Sequence, residues 1–395
     1  MLGSKCEITS SKRVFESEWK KSGIPFLRTR DIANFHAGIE QRDKLFISED
    51  TYRKKIAVSG EVKKGDLLVT GVGTIGLPFI VETDEKLYFK DGNIIWVKQS
   101  KDINPKFLYY LFLSATVQAQ IVSFCDFTTV GTFTIKNAKK IKIPLPPLEE
   151  QTAIADTLAV FDRHITNLTE LIAKKKAIRD GALDDLMSGR TRLEGFCGEW
   201  EVRRLGEIGT FTKGAPFSKA DISASGTPMI LYGELYTTYK EVTYSVQKHT
   251  QRKAKAQCYS TVGDVIIPAS GETAEDISRA TCVMIPGVVL AGDLHIFRTD
   301  KLDGRFLSYA INHVINRQIS EIAQGISIMH INAKGLSKIA VHYPTLQEQT
   351  AIADTLTALD TEISSLEAER LKISQIRDGA MNDLLTGKVR LTHGN

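Results

Sequence analysis

The stretch Gly71-Val-Gly-Thr-Ile-Gly76 spells Gly-x-Gly-x-x-Gly directly after a strand-like run, a spacing that lets backbone approach a pyrophosphate. Such a site also needs a helix opening at the last glycine, so that its N-terminus meets the phosphates. Here Leu77-Pro78-Phe-Ile-Val81 follows, strand-like and broken by proline. The glycines therefore read as a tight turn between strands. Pro144-Leu-Pro-Pro147 carries the paired prolines of a loop that presents an adenine amino group for methyl transfer. It lacks the leading amide or carboxylate and the trailing aromatic that would bind and orient that group. There is no Walker A sequence, no His-x-x-x-His pair among the eight histidines, no nuclease-like cluster of carboxylates and lysine, and no nucleophile elbow. The residue types favour a protein that binds over one that catalyses.

Composition agrees. The 395 residues leave room for two or three domains. Hydrophobic and charged fractions of 42% and 25% are ordinary for a soluble globular chain. Mean hydropathy is −0.12, and no apolar run approaches the ~20 residues of a membrane span. Met1-Leu-Gly-Ser-Lys-Cys-Glu-Ile8 has no signal-peptide core. Cys6, Cys125, Cys197, Cys258 and Cys282 are odd in number and include no Cys-x-x-Cys, so neither disulfides nor zinc are expected and a cytoplasmic location is. A net charge of +4 permits nucleic acid as a partner without arguing for it.

What positions any binding surface is a duplication. Leu148-Glu-Glu-Gln-Thr-Ala-Ile-Ala-Asp-Thr-Leu158 returns 198 residues later as Leu346-Gln-Glu-Gln-Thr-Ala-Ile-Ala-Asp-Thr-Leu356. The register holds through Arg179-Asp-Gly-Ala182 and Arg377-Asp-Gly-Ala380 to Arg192-Leu193 and Arg390-Leu391. About half of the positions in this block are identical, so the fold is organised as a repeat. Fainter echoes lie outside it: Ile24-Pro-Phe-Leu27 with Thr227-Pro-Met-Ile230, Thr51-Tyr-Arg-Lys54 with Thr250-Gln-Arg-Lys253, Gly65-Asp66 with Gly263-Asp264, and Phe107-Leu-Tyr-Tyr110 with Phe306-Leu-Ser-Tyr309.

In the repeated block Leu158, Phe161, Ile165, Leu168 and Ile172 recur every three or four residues, as do Leu356, Leu359, Ile363, Leu366 and Ile373. This is the seam of a coiled coil. Prolines and Glu149-Glu150 mark the starts; Gly189 and Gly387 mark the ends. The spacing predicts helices over 148–188 and 346–386, on the order of 60 Å long at ~1.5 Å per residue, each the natural antiparallel partner of the other. The identity extends beyond the seam to Gln151/Gln349, Asp156/Asp354 and Arg179/Arg377. Shared outward polar residues fit a docking surface for one partner used twice; the plainer alternative is that the helices only join the halves.

Each flanking half mixes strand-like runs with helical ones. Asp66–Val69, Asn93–Val97 and Ile141–Ile143 are predicted strands, matched by Val265–Ile267, Leu294–Phe297 and Ile339–Val341. Pro105–Val122 and Arg305–Ile322 are predicted amphipathic helices. Elsewhere the halves diverge: Thr70-Gly-Val-Gly-Thr-Ile-Gly76 stands against Pro268-Ala-Ser-Gly-Glu-Thr-Ala-Glu-Asp276. One scaffold is carrying two different surfaces on its loops.

The order variable half, Pro-Leu-x-Glu-Gln helix, variable half, repeated helix resembles the DNA-specificity subunit of type I restriction–modification enzymes. Pro147-Leu-Glu-Glu-Gln151, Leu346-Gln-Glu-Gln349 and Glu199-Trp200-x-Val202-x-x-Leu205-Gly206-Glu207-Ile208 carry it, over essentially the whole chain. The first half departs by lacking the tryptophan lead-in: Met1-Leu-Gly3 aligns with Leu205-Gly206.

The resemblance implies an α+β fold: two mixed α/β target recognition domains, separated by two long antiparallel coiled-coil helices, with a pseudo-two-fold internal repeat. The expected divisions are 1–146, 147–193, 194–344 and 345–395. It implies a non-catalytic reader of bipartite double-stranded DNA in the major groove, with half-sites about one helical turn (~34 Å) apart. Two methyltransferase subunits and the restriction subunits with motor and nuclease activity would dock on it. S-adenosylmethionine, ATP and magnesium belong to those partners, and this chain binds no cofactor or metal. Arg53-Lys54 and Arg252-Lys253 are candidate phosphate contacts. Arg28, Arg30, Thr70, Thr74, Tyr232, Ser270 and Glu272, in divergent loops, are candidate base readers. Gln151, Asp156, Arg179, Gln349, Asp354 and Arg377 are candidates for docking partners. The alternatives are a coiled-coil adaptor that binds proteins and no particular DNA sequence, and an enzyme with an unrecognised site.

Overall fold

The computed structural model describes residues 1–125, 131–325 and 328–391. They form two compact units, Met1–Thr169 with Ala368–Asn395, and Glu170–Glu367. Each therefore takes residues from both repeated segments.

In the first unit a four-stranded antiparallel sheet runs Ile8–Thr9, Ile94–Val97, Leu67–Thr70, Pro78–Ile80. Its central strands are apolar along nearly their whole length because both faces are covered. A second sheet, Trp19–Lys20, Leu45–Ile47, Ile24–Leu27, Tyr88–Phe89, ends in a parallel pair. The second unit repeats the plan with additions. Thr210–Lys213, Leu294–Arg298, Asp264–Pro268, Thr281–Val283 and Val242–Thr243 form one sheet, and Lys248–Thr250, Thr227–Leu231 and Val289–Ala291 another.

The repeated Gly-Asp pair has a local cause. Gly65 and Gly263 take φ of +91° and +92°, where a side chain is strained. The aspartate that follows is buried and ties the turn to the sheet. Asp66 accepts from Lys63 N, Gln99 N and Trp96 Nε1 at 2.8, 2.8 and 2.9 Å. Asp264 accepts from Thr261 N at 2.9 Å and pairs with Arg298 at 2.8 Å.

The long helices are Leu148–Met187 and Leu346–Leu385, 40 residues each. In the first unit their segments run antiparallel: Glu150 meets Arg390, Asp162 meets Arg377 and His164 meets Glu369. Ile154, Ala155 and Leu158 pack there with Leu384 and Leu385. The second unit repeats this with Glu348–Arg192, Asp360–Arg179 and Glu362–Lys175, over Ile352, Ala353, Leu356, Leu183 and Leu186.

Three elements differ from expectation. The run from Pro105 is two helices, Pro105–Leu113 and Ala115–Phe124, because Ser114 leaves helical geometry and caps the second by accepting from Val117 N. Its counterpart splits likewise into Gly304–His313 and Asn316–Glu321. Ile141–Ile143 forms no strand, whereas the matching segment is the strand Ala340–Tyr343, paired with Glu201–Arg204. A strand needs a neighbour, and among the described residues no strand lies beside Ile141–Ile143.

Candidate nucleic-acid interface

The shared polar residues of the repeat turn mainly inward. Gln151 and Gln349 are 1% and 0% exposed. Gln151 Oε1 accepts from Asn104 N at 2.9 Å, and its Nε2 donates to the Asp102 and Pro146 carbonyls at 3.1 and 2.9 Å. Gln349 does the same with Asp303 N and the Pro344 carbonyl, both at 2.9 Å. Asn104 and Asp303 are the N-caps of the helices beginning at Pro105 and Gly304. The glutamine thus clamps a recognition-half helix to the start of a long helix. Glu150 and Glu348, beside it, are each held by both arms of a guanidinium, from Arg390 and Arg192.

Arg179 and Arg377 are also engaged. Arg377 Nη1 donates to Asp162 at 3.0 Å, and Tyr110 Oη donates to the same carboxylate at 2.7 Å. Arg179 Nε donates to Asp360 at 2.8 Å, joined by Tyr309 Oη at 2.5 Å. Burial, reinforced by these carboxylates, pushes both phenols far above their ordinary value, so both remain donors. In the second unit Arg179 also faces Glu241 at 3.8 Å, and Glu241 binds His313 at 2.6 Å.

Gln151 and Gln349, expected to face a partner, are instead buried clamps, and Arg179 and Arg377 are half-buried and engaged within their own units. Buried amides must be satisfied within the chain, and this selects the same residue twice as firmly as a common partner would. Asp156 and Asp354 do face solvent, Asp354 bonded to Arg305. Sequence reading missed a second outward set. Leu148 and Leu346 are 48% and 49% exposed, and Ile178 and Ile376 are 48% and 43% exposed. Apolar residues 198 apart that stay exposed in both copies are the stronger docking signal, but seam periodicity alone assigns such residues to the core.

The candidate DNA contacts also divide. In the first unit Arg53 and Lys54 lie exposed on the helix Glu49–Ser59, with Arg53 bonded to Glu49 at 3.1 Å. Arg30 and Thr74 are exposed too. Arg28 instead caps the helix Thr29–His36, its guanidinium on Asp31 at 2.9 Å and on the Asp43 carbonyl at 2.6 Å. Thr70 is fully buried: its hydroxyl donates to the Thr74 carbonyl and accepts from Leu77 N, closing the turn that holds Gly71–Gly76. That turn joins two strands.

In the second unit Tyr232, Arg252, Lys253 and Glu272 are exposed, while Ser270 is buried in the short strand Ser270–Gly271. Arg28, Thr70 and Ser270 are thus corrected to framework residues. Arg252 lies 4.3 Å over the Phe217 ring and 2.7 Å from Asp221. The paired basic motifs, matched in sequence, stand on different elements: a helix follows Leu45–Ile47, whereas a bend follows Lys248–Thr250.

Among the described residues no group of His, Cys, Asp or Glu is arranged to hold a metal, and no single helix is long and apolar enough to cross a membrane.

Comparison with known proteins places this architecture. The family model for the type I restriction modification DNA specificity domain matches twice, at residues 2–177 and 198–375. The candidate type I restriction enzyme MjaX specificity subunit of Methanocaldococcus jannaschii is 27% identical over 394 residues, covering 94% of this chain and 88% of that one. The MjaVIII specificity subunit of the same organism is 27% identical over 310 residues, covering 72% and 71%. A crystal structure of a type I restriction–modification S subunit from M. genitalium aligns over 97% of this chain and 94% of its own with a TM-score of 0.62 at 17% identity. Two copies of the domain on one chain, each built on the same clamped framework, make this protein a member of the type I restriction–modification DNA specificity subunit family.

Proposed function

We propose that this chain is the non-catalytic reader of a type I complex, acting in the cytoplasm on a bipartite double-stranded DNA target, one half-site for each recognition half. The observation that carries this is the double family match over halves whose frameworks agree and whose loops do not. Equivalent strands carry a helix in one copy and a bend in the other, so the surfaces offered to base edges differ. Phosphate contacts fall to Arg53, Lys54, Arg252 and Lys253, which set register. Base reading falls to the exposed Arg30, Thr74, Tyr232 and Glu272, whose groups match major-groove donors and acceptors.

Two methyltransferase subunits dock on the long helices, over Leu148, Leu346, Ile178, Ile376, Asp156 and Asp354, and flip the target adenine from the duplex. Restriction subunits join that assembly. S-adenosylmethionine, ATP and magnesium are the partners' cofactors. The divisions 1–146, 147–193, 194–344 and 345–395 are the exchangeable modules.

The test is adenine-methylation mapping of a genome in cells carrying this chain with its methyltransferase, against cells lacking the chain. A bipartite motif lost on deletion is the expected result, and exchange of residues 1–146 should alter one half-site only. An active, bound methyltransferase with no chain-dependent motif overturns the reading.

A further inference from the structure

One core position differs in kind between the two units. Val69 stands opposite Ile95 in the first, and Ile267 stands opposite His295 in the second. Flanking bonds confirm the match: Gly71 N donates to the Asn93 carbonyl at 2.7 Å, and Ala269 N to that of Asp293 at 2.8 Å. Ile95 lies in an apolar cluster with Val69 and Phe133. His295 is as deeply buried, 1% exposed against 3%.

The hydrogen bonding of this histidine is incomplete. Nε2 meets the Ile331 carbonyl at 2.9 Å. A carbonyl only accepts, so Nε2 carries the proton. Burial holds the imidazole below its ordinary value of 6.5, so at neutral pH the ring is neutral and Nδ1 is a bare acceptor. Among the described residues nothing donates to it. A buried acceptor left bare destabilises the fold, and isoleucine avoids this in the first unit. A local rule broken in one copy and kept in the other marks a functional site.

His295 lines a pocket of about 310 Å³, at the lower end of small-ligand pockets and far above the ~30 Å³ share of one water. Its other polar groups also belong to this copy alone. Lys213 and Asp293 meet there at 3.0 Å, where the first unit has Ser10 and Asn93. Phe211, a further wall, meets the imidazole at right angles with 6.2 Å between ring centroids. The pocket thus sets two acceptors, Nδ1 and the Asp293 carboxylate, beside an aromatic ring, with the exposed Lys213 as a flexible donor.

Two of the proposed base readers flank it. Glu272 follows the strand Ser270–Gly271, whose partner residue His330 lines the pocket. Gly292, next to Asp293, packs against the Tyr232 ring.

We propose that this pocket receives one unstacked nucleobase that carries an amino group. Lys213 turns aside to admit it, the amino group donates to His295 Nδ1 and the Asp293 carboxylate, and the ring rests on Phe211. The base is either displaced from DNA, and distinct from the adenine that the methyltransferase takes, or free in solution; only the first source rests on the DNA reading proposed above.

The first arm of the test titrates cytosine and adenine into the full chain by saturation-transfer NMR, against pyrimidin-2-one and purine, which lack the amino group. Saturable binding is expected, roughly tenfold tighter for the amino-bearing bases. His295→Ile should abolish this preference while raising the melting temperature, which separates loss of the site from loss of the fold. Asp293→Asn, the first unit's residue, should weaken binding roughly threefold. The second arm compares a short duplex bearing one bulged cytosine with the same duplex bearing a bulged thymine, by fluorescence anisotropy. A cytosine preference erased by His295→Ile assigns the base to DNA. Selective binding of free bases without a bulge preference assigns it to a free nucleobase, and the same result with neither duplex bound counts against the DNA reading and not against the pocket. Equal affinity for bases with and without the amino group overturns the proposal, as does no saturable binding of any base, or binding that His295→Ile leaves unchanged.

Discussion

Arg377 and Asp162 lie 215 residues apart in the chain and meet at 3.0 Å, the same relationship that Arg179 bears to Asp360 at 2.8 Å. Each aspartate also receives a tyrosine from its recognition half, so one carboxylate joins two helix segments and a domain. Asp162→Asn and Asp360→Asn keep the shape and remove the charge. Each should cost about 1.5–3 kcal/mol in urea denaturation. Asp360→Asn should cost more, since the side chain of Arg179 is 18% exposed against 28% for Arg377. A loss under ~0.5 kcal/mol, the level of an exposed pair, would contradict the clamp.

Glu241 adds a pH dependence confined to the second unit. Burial alone would raise its carboxyl, but the His313 hydrogen bond, its backbone bond and the charges of His313 and Arg179 outweigh burial and hold it below its ordinary value of 4.5. The fold therefore favours the ionised form. Its stabilisation is complete above about 4.5 and is lost as pH falls through the folded value. Glu241→Gln should flatten the acid limb of a stability–pH profile, which denaturation midpoints between neutral and acidic pH measure directly.

The glutamines and aspartates of the repeat should separate by phenotype. Gln151→Ala strips partners from Asn104 N and two carbonyls in a buried site and should cost about 2–4 kcal/mol, as should Gln349→Ala. Asp156→Ala, at an exposed site, should stay within ~0.5 kcal/mol while weakening co-purification with the methyltransferase. Thermal melts and pull-downs on the same preparations distinguish the two classes.

Salt titration of DNA binding by the assembled complex tests the cations. Each phosphate contact contributes about 0.9 to the slope of log K against log salt. Lys54→Ala and Lys253→Ala should each lower the slope by about that amount. Arg53→Ala and Arg252→Ala should lower it less, because Glu49 and Asp221 already neutralise them within the chain. Unchanged slopes for both lysines would remove them from the interface.

The exposed leucines are the sharpest docking test. Leu148→Glu with Leu346→Glu should leave the melting temperature nearly unchanged, since both side chains are about half exposed, and should abolish methyltransferase co-purification on size-exclusion chromatography. An intact complex would place docking elsewhere.

Much of this architecture was legible because it is periodic or repeated. The helices predicted over 148–188 and 346–386 are Leu148–Met187 and Leu346–Leu385, since apolar spacing, prolines and terminal glycines all act locally. What escaped depends on contacts distant in sequence. Ile141–Ile143 has strand-forming residues and no strand, because among the described residues no strand lies beside it, as Glu201–Arg204 lies beside Ala340–Tyr343. Gln151 and Arg179 look like surface residues in a helical pattern, and only the fold shows Asn104 and Asp360 waiting for them. Thr70 and Ser270 sit in divergent loops yet face inward, a distinction that loop sequence does not encode.

The division of the chain sets an order of manufacture. Residues Glu170–Glu367 are contiguous, whereas the other unit needs Met1–Thr169 and also Ala368–Asn395. On the ribosome the N-terminal half is made first and finished last. Until the final helix turns emerge, Ile154, Ala155 and Leu158 lack Leu384 and Leu385 as cover, and the nascent chain carries an apolar stripe for chaperones to hold. A chain truncated before residue 368 would keep the contiguous unit Glu170–Glu367 and leave the other without its closing helix segment.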